Sequence, residues 1–226
     1  MKFFRQVFVI AVKDLRAEFR TKEAINASFA FAVVILLLFS FAFDPDAETT
    51  REMAGGLLWI VFAFAGTLIL NRSFARELPN DCLDALISAP ISGAALFLGK
   101  ALANFLLVLA VQLVSLPVFA VFNSLHLTEQ FWPLLGVILL GGWAITVIGT
   151  IFSALTVNIR LREVMLPLLT FPILIPALLS AMLLTKALVL GQPVGVDNLS
   201  WLKMLIGFDI MYTAASLILV ETVLVG

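Results

Sequence analysis

The sequence has few of the residues from which catalytic and metal sites are usually built. It contains one cysteine, Cys82, and one histidine, His126, among 226 residues. A single cysteine excludes an intrachain disulfide, and one of each excludes a His/Cys metal cluster assembled from this chain alone. No Ser/His/Asp set, HExxH motif or catalytic pair of carboxylates is recognisable, so we do not expect an enzyme that acts by itself. Cys82 is expected to be a small packing residue.

Charge is also scarce. Charged residues make up 13% of the chain, with 14 Lys and Arg against 15 Asp and Glu, which leaves a net charge of −1 and no electrostatic case for binding nucleic acid. Apolar residues make up 62%, and the mean hydropathy is +1.11. Soluble domains are closer to half apolar. The composition therefore indicates an integral membrane protein.

A nucleotide-binding loop is absent from the sequence. The nearest match begins at Gly93 and ends at Ala101, but it has one residue too many between its glycines and an alanine where Ser or Thr must bind magnesium. We therefore expect any ATP and magnesium to be bound by a partner. Lys100 is interpreted as a lysine that extends to the lipid head groups at the inner end of a span.

Six apolar stretches are long enough to cross the roughly 30 Å of a bilayer core. They cover about 24–43, 54–70, 101–122, 132–157, 164–184 and 204–225. The sequence therefore predicts an all-α membrane protein with a single transmembrane domain over residues 1–226. Small residues recur in the fourth stretch, at Gly142, Thr146, Gly149 and Ser153. Such a stripe lets another helix approach closely, and we favour packing within the chain over a dimer interface.

Residues 1–22 are expected to form an amphipathic helix that lies in the membrane surface. Apolar side chains recur at helical spacing at Phe4, Phe8, Ala11, Leu15 and Phe19. Another face carries Lys13, Arg16 and Arg20, which suit the anionic lipid head groups.

The distribution of positive charge predicts the orientation. With the N-terminus inside, eleven of the 14 Lys and Arg residues fall in inner segments, and the other three are Arg51, Lys186 and Lys203. Positive residues concentrate on the cytoplasmic side, so both termini are predicted to be cytoplasmic, in the inner membrane of a bacterium. Trp59, Trp132 and Trp201 would then form an aromatic belt near the outer boundary.

The longest polar interruption, residues 72–90, contains the signals of a short helix over 80–88. Asn80 can cap this helix. Asp81 and Asp84 would lie in its first turn, where the helix dipole favours negative charge. Pro90 would end it.

This predicted helix is amphipathic. Leu83, Leu86 and Ile87 would share one face and could lie on an apolar surface. Two interpretations stay open: a solvated loop helix, or a cytoplasmic segment that contacts a partner.

Three further sets of residues are candidates for function. Pro167, Pro172 and Pro176 should kink the fifth span. Asp209 is an acid within the sixth span, for which a solvated or hydrogen-bonded structural carboxylate is favoured over a functional one. His126 could be an axial haem ligand on the outer side, although it is more simply a loop residue.

The order of these features resembles the permeases of ABC-2-type exporters, and within them the CcmB family of cytochrome c maturation. The resemblance covers essentially the whole chain. It is carried by the segments 73–77 (SFARE), 82–86 (CLDAL), 89–91 (API), 97–101 (FLGKA), 166–169 (LPLL) and 172–176 (PILIP).

The resemblance implies a membrane subunit that works with a separate ATPase, CcmA, and with CcmC and CcmD, to release the haem-loaded chaperone CcmE. Haem would be handled by the partner subunits, and the chain would form a homodimer within the complex. The ATPase contact would lie in the cytoplasmic loop 71–100, at Arg76, Glu77, Asn80, Asp81, Leu83, Asp84, Leu86 and Ile87.

Three other functions are considered for a chain with this hydropathy pattern. A related ABC-2-type permease could export lipid or polysaccharide. An ATP-independent transporter would need inverted repeats and paired charges within the membrane, which are not evident. A passive scaffold would bind an ATPase without changing its rate.

Overall fold

The computed structural model describes residues 2–44, 47–78, 82, 86, 89–122, 130–192, 195 and 198–225. Within these ranges the chain folds into seven α-helices and one short 3-10 turn, Ala75–Glu77. The helices are α1 (Lys2–Thr21), α2 (Glu23–Ala42), α3 (Glu48–Leu70), α4 (Gly93–Phe122), α5 (Phe131–Thr156), α6 (Arg162–Val189) and α7 (Leu199–Val225). Six of them, α2 to α7, are long and apolar enough to cross a membrane. The predicted all-α membrane fold is confirmed.

Helix α4 starts a full two turns before the predicted apolar stretch. Ser92 precedes it, and its Oγ accepts a hydrogen bond from the backbone N–H of Ala95 at 3.2 Å, as an N-terminal cap does. Gly99 and Lys100 consequently lie inside the helix. The predicted loop 71–100 is therefore too long at its C-terminal end, because a polar cap and not hydropathy determines where α4 begins.

Helix α6 extends beyond its apolar stretch until a glycine stops it. Gly191 adopts a left-handed conformation with φ +73°. The N–H of Gly191 bonds to the carbonyl of Leu188 at 3.0 Å, and that of Gln192 to Ala187 at 2.8 Å, which is the Schellman pattern. Lys186 thus belongs to the last turn of α6.

Helix α5 lies at the centre of the bundle and contacts α3, α4, α6 and α7. Its small residues let neighbours approach closely. A Cβ on Gly149 would lie 2.3 Å from Cδ1 of Leu70, and one on Gly142 would lie 2.8 Å from Oε1 of Gln112. Thr146 and Ser153 of the same stripe are also buried. The expectation that this stripe packs within the chain is therefore confirmed.

The predicted aromatic belt is wrong for one of its three tryptophans. Trp59 is fully buried against α5, where its ring occupies the space beside Gly141. Its Nε1 donates a hydrogen bond to Oγ1 of Thr185 at 2.9 Å. Trp132 is 77% exposed, as a belt residue would be. Trp59 instead joins α3 to α6 inside the bundle.

The three predicted proline positions, Pro167, Pro172 and Pro176, all lie inside the single helix α6. Helix α4 carries a further internal proline, Pro117. Each proline removes one backbone donor from its helix. Their role as kinks that permit motion stays a prediction.

Candidate functional site

Charged and polar side chains converge at one end of the bundle, where α1, the start of α4 and the turn after α3 meet. This turn, residues 71–78, comprises hydrogen-bonded turns and the 3-10 segment Ala75–Glu77. It is the first part of the segment for which contact with a partner is predicted, and it lies within the described residues. Arg76 and Glu77 lie within it, and we call it the anchored turn.

Lys100 is the central cation of this site. Its Nζ lies 2.8 Å from Oε1 of Glu77, 3.1 Å from Oδ2 of Asp14 and 3.0 Å from the carbonyl oxygen of Ser73. It also lies 4.8 Å from the ring centroid of Phe74. An ammonium has three donors, and all three have acceptors here. A buried charge needs such partners to offset its desolvation.

The expectation that Lys100 extends to lipid head groups is therefore wrong. The side chain is 0% exposed. Because α4 begins at Gly93, Lys100 lies in its second turn and points to the carboxylates of Asp14 and Glu77. Hydropathy and local spacing could not predict these contacts, since the partners of Lys100 are 86 and 23 residues away along the chain.

Lys13 completes a balanced cluster of two cations and two carboxylates. Its Nζ lies 2.6 Å from Oε1 of Glu77 and 3.2 Å from Oδ1 of Asp14, and its side chain is 47% exposed. Burial lowers the pKa of Lys13, but the neighbouring carboxylates of Asp14 and Glu77 outweigh burial and raise that pKa above its ordinary value of 10.5. We call Lys13, Asp14, Glu77 and Lys100 the ion cluster.

A second ion pair joins α1 to the anchored turn and also reaches the start of α2. Glu18 of α1 is fully buried and pairs with Arg76 of the anchored turn. Its Oε1 also accepts a hydrogen bond from the backbone N–H of Ile25 at 3.0 Å. This N–H belongs to the first turn of α2, where backbone donors have no partner within the helix. Glu18 thus caps α2 and holds Arg76 at once.

The anchored turn is also bonded to α4 and α5. Asn104 of α4 donates to Oγ of Ser73 at 2.8 Å and to Oγ1 of Thr150 at 3.0 Å. Ser153 of α5 donates to the carbonyl oxygen of Leu70 at 2.8 Å. These bonds connect the turn to the centre of the bundle.

Helix α1 lies unusually close to α4 at Gly99. A Cβ there would be 2.7 Å from Cβ of Ile10 and 2.9 Å from the carbonyl oxygen of Val7, so only glycine fits. Ile10 and Ala11 are buried in this contact, whereas Phe4 and Phe8 are exposed. Helix α1 is therefore packed along one face against the end of the bundle where α4 begins, and its position in the membrane surface stays a prediction.

A cavity of about 520 Å³ opens beside the ion cluster. Its lining combines charged and apolar groups, including Lys13, Asp14, Arg76, Glu77, Cys82 and Leu86. Cys82 is exposed, which corrects the expectation of a packing residue. The remaining predicted coupling residues lie outside the described residues; they are Asn80, Asp81, Leu83, Asp84 and Ile87.

Asp209 does not belong to this site. Asp209 lies in α7 with 7% of its surface exposed, and neither carboxylate oxygen has a hydrogen-bond partner among the described residues. The expected hydrogen bond is therefore absent among the described residues, and the role of Asp209 stays a prediction. His126 lies outside the described residues. Within the described ranges, His, Cys, Asp and Glu form no group of three that could hold a metal ion.

Comparison with known proteins gives a consistent result. The family model described as CcmB protein matches residues 5–221. "Heme exporter protein B" of Rhodobacter capsulatus is 34% identical over 167 residues, which cover 74% of this chain and 76% of the relative. The protein of the same name from Paracoccus denitrificans is 31% identical over 171 residues, with 75% and 78% covered. That of Pseudomonas aeruginosa is 28% identical over 207 residues, with 91% of each chain covered. A match across nearly the full length, with six apolar helices in the bundle, identifies the chain as a multi-pass membrane protein that belongs to the CcmB family.

Proposed function

We propose that this chain is the membrane subunit of a haem-exporter-type complex of cytochrome c maturation, and that the anchored turn receives movement from a separate ATPase. The observation that carries the proposal is the ion cluster, in which Glu77 of the turn is bonded to Lys13 of α1 and Lys100 of α4. The names of its relatives in the CcmB family support haem export as the process it serves.

The energy for this process must come from a partner, because the sequence has no nucleotide-binding loop. We expect the ATPase to be CcmA, bound at the cytoplasmic side, with CcmC, CcmD and the haem chaperone CcmE as further partners. The positive charge of the inner segments supports this orientation. A second copy of the chain in the complex belongs to the same proposal.

The anchored turn is suited to transmit a displacement because its contacts reach three helices. Glu77 contacts α1 and α4, and Arg76 contacts α1 through Glu18. Leu70, which ends α3 directly before the turn, is bonded to α5 through its carbonyl oxygen. A push on the segment that follows Leu78 would thus move these helices and not only a loop. Nucleotide can bias the membrane part only if the turn has a preferred arrangement in each nucleotide state.

In this proposal the chain itself has no catalytic role. We propose that haem is handled by the partner subunits and that this subunit couples ATP hydrolysis to release of the loaded chaperone. Pro167, Pro172 and Pro176 of α6 would provide the bending that carries movement to the outer side. The competing functions are export of lipid or polysaccharide, ATP-independent transport and a passive scaffold.

The test is a charge reversal in the proposed contact. Asp84→Lys should reduce both ATPase stimulation in the reconstituted complex and the yield of haem-stained c-type cytochromes, while b-type cytochromes stay at the normal level. Asp46→Lys, the same change in a loop predicted on the outer side, is the matched control. Normal stimulation and normal cytochrome c in Asp84→Lys would contradict the coupling role, and bound ATPase with an unchanged rate in the unmodified complex would indicate a scaffold.

A further inference from the structure

A second polar cavity lies beside the anchored turn, on the side away from the ion cluster. Its volume is about 790 Å³, and its walls come from the first turns of α2 and α6 and from the end of α3. Glu23, Arg72, Arg76, Arg162 and Glu163 carry its charges. We call it the basic cleft, and it shares Arg76 with the anchored turn.

The charge of the basic cleft is incompletely neutralised. Arg72 pairs with Glu23 and Arg76 pairs with Glu18. Arg162 has no ion-pair partner among the described residues, and it also lines an adjoining cavity of about 690 Å³ together with Arg160, which likewise has none in the described part of the chain. Glu163, which lines both cavities, also has no ion-pair partner among the described residues. With Glu18 included, four arginines face three carboxylates across the two cavities, so an anion is the favoured ligand.

An apolar path leads from the basic cleft along α3 into the membrane. Ile60, Phe64 and Leu68 recur every four residues, so they share one face, and they are 44%, 44% and 37% exposed. Arg72 continues this spacing into the turn after α3. A single ligand with an anionic head and an apolar chain would match the whole path.

Aromatic contacts form the floor of this path deeper in the bundle. The ring centroid of Phe64 lies 4.8 Å from that of Phe171 in α6 and 6.3 Å from that of Phe31 in α2. Helices α2 and α6 therefore flank α3, and the exposed face of α3 lies between them. The exposed side chains of this face lead to the basic cleft, which Leu68 also lines.

From these observations we infer that the basic cleft binds an anionic phospholipid of the inner leaflet. Its phosphate lies at Arg162, where the basic cleft adjoins the cavity that Arg160 lines, and one acyl chain lies on Ile60, Phe64 and Leu68. Arginine binds phosphate through paired donors, and basic pockets between helices at the cytoplasmic side hold anionic head groups. Ala75 and Arg76 line the cleft, so the bound lipid also contacts the anchored turn.

The test compares two lipids on the purified, delipidated chain. Phosphatidylglycerol and phosphatidylcholine with identical acyl chains are titrated while bound lipid is counted by native mass spectrometry and the thermal midpoint is followed. We expect phosphatidylglycerol to bind at least about tenfold more tightly. Equal binding of the two lipids overturns the proposal, and this comparison needs no variant.

Variants locate the binding. Arg160→Gln and Arg162→Gln should each weaken phosphatidylglycerol about fivefold. Arg51→Gln removes an exposed arginine from the other end of α3 and is the matched control. The double variant Arg160→Gln/Arg162→Gln is also measured. If it binds phosphatidylglycerol as tightly as the natural chain, the assignment of the site is overturned. A double variant that keeps lipid selectivity but no longer binds the ATPase also overturns it, because the arginines would then contact protein.

A further arm separates a lipid from a free anion. Glycerophosphoglycerol, the same head group without chains, and inorganic phosphate should compete at least about a hundredfold more weakly than the whole lipid, because the chain buries apolar area along α3. Leu68→Gln should weaken phosphatidylglycerol without changing competition by phosphate. Equal competition by the head group alone identifies a site for soluble anions and overturns the lipid proposal. These results do not depend on the coupling role of the anchored turn.

Discussion

Lys100 and Glu77 form an ion pair inside the protein, with Nζ 2.8 Å from Oε1 and side chains that are 0% and 8% exposed. The pair joins the start of α4 to the anchored turn, and Asp14 joins both to α1. Considered alone, each of these charged residues would be expected to face water or lipid head groups at a membrane boundary. Together they fix the segment that we propose as the point of contact with an ATPase.

Removing the central cation should be costly. Among the described residues, Lys100→Met leaves Lys13 as the one cation in an ion pair with Asp14 and Glu77, and loss of one partner from a buried ion pair costs about 3–5 kcal/mol. We expect a lower thermal midpoint in detergent for this variant than for Lys203→Met, which removes an exposed lysine. Lys100→Met/Glu77→Gln should recover part of the loss, because it also removes a carboxylate. Equal midpoints for the two single variants would show that the ion cluster does not stabilise the fold.

The contribution of Lys13 should depend on pH in a defined direction. Its pKa is raised in the folded state, so its stabilising effect is complete below the unfolded value of 10.5 and is lost as the pH rises through the higher folded value. Because the side chain is half exposed, the effect is at most about 1 kcal/mol. The difference in thermal midpoint between the natural chain and Lys13→Met should be constant near about pH 8 and smaller at about pH 11. A difference that grows with pH would contradict this assignment.

The contact between α1 and α4 should tolerate no side chain at Gly99. In Gly99→Ala, the new Cβ would meet Ile10 and the carbonyl oxygen of Val7, and such overpacking costs about 1–3 kcal/mol. Gly136→Ala is the control, since nothing lies within 4 Å of a Cβ at Gly136 and alanine favours a helix by about 0.5–1 kcal/mol. Thermal unfolding should therefore shift down for the first variant and up for the second. A similar upward shift in both would show that α1 is not packed closely at this position.

Asp209 should be replaceable without loss of stability. Its two carboxylate oxygens are buried without a partner, and an unsatisfied buried polar group costs about 1–3 kcal/mol. Asp209→Val is expected to raise the thermal midpoint of the isolated chain. A fall in the midpoint would mean that the carboxylate has a partner that stabilises the fold. Cytochrome c yield in the same variant reports separately on a functional role.

The two tryptophans that differ in burial should differ in fluorescence. Trp59 is fully buried and bonded to Thr185, whereas Trp132 is 77% exposed. In variants that retain only one tryptophan, brominated lipid should quench Trp132 and leave Trp59 nearly unchanged. Trp59→Phe should also cost about 1–3 kcal/mol, because Thr185 loses its partner. Strong quenching of Trp59 would place it at the lipid surface and restore the aromatic belt.

Part of the candidate site could be predicted from the sequence. The polar segment after α3 was identified from its departure from the surrounding apolar runs, and Arg76 and Glu77 were singled out within it. Their partners could not be found in this way. Asp14, Glu18 and Lys100 lie on two helices, α1 and α4. The hydropathy of these helices is the same whether the charges face water and head groups or pair with each other inside the protein.

The sequence by itself determined the number of spans, the amphipathic character of α1 and the all-α fold, because a bilayer core admits long apolar helices and hydropathy reports them directly. The tertiary structure decided which polar groups meet: Lys100 with Glu77, Glu18 with Arg76, and Trp59 with Thr185. The physical reason is that such pairings depend on the rotation of each helix about its axis and on where it begins. The rotation and the starting residue of a helix are determined by caps such as Ser92 and by close contacts such as that of Gly99 with Ile10. Hydropathy, which is averaged over many residues, does not report such local contacts.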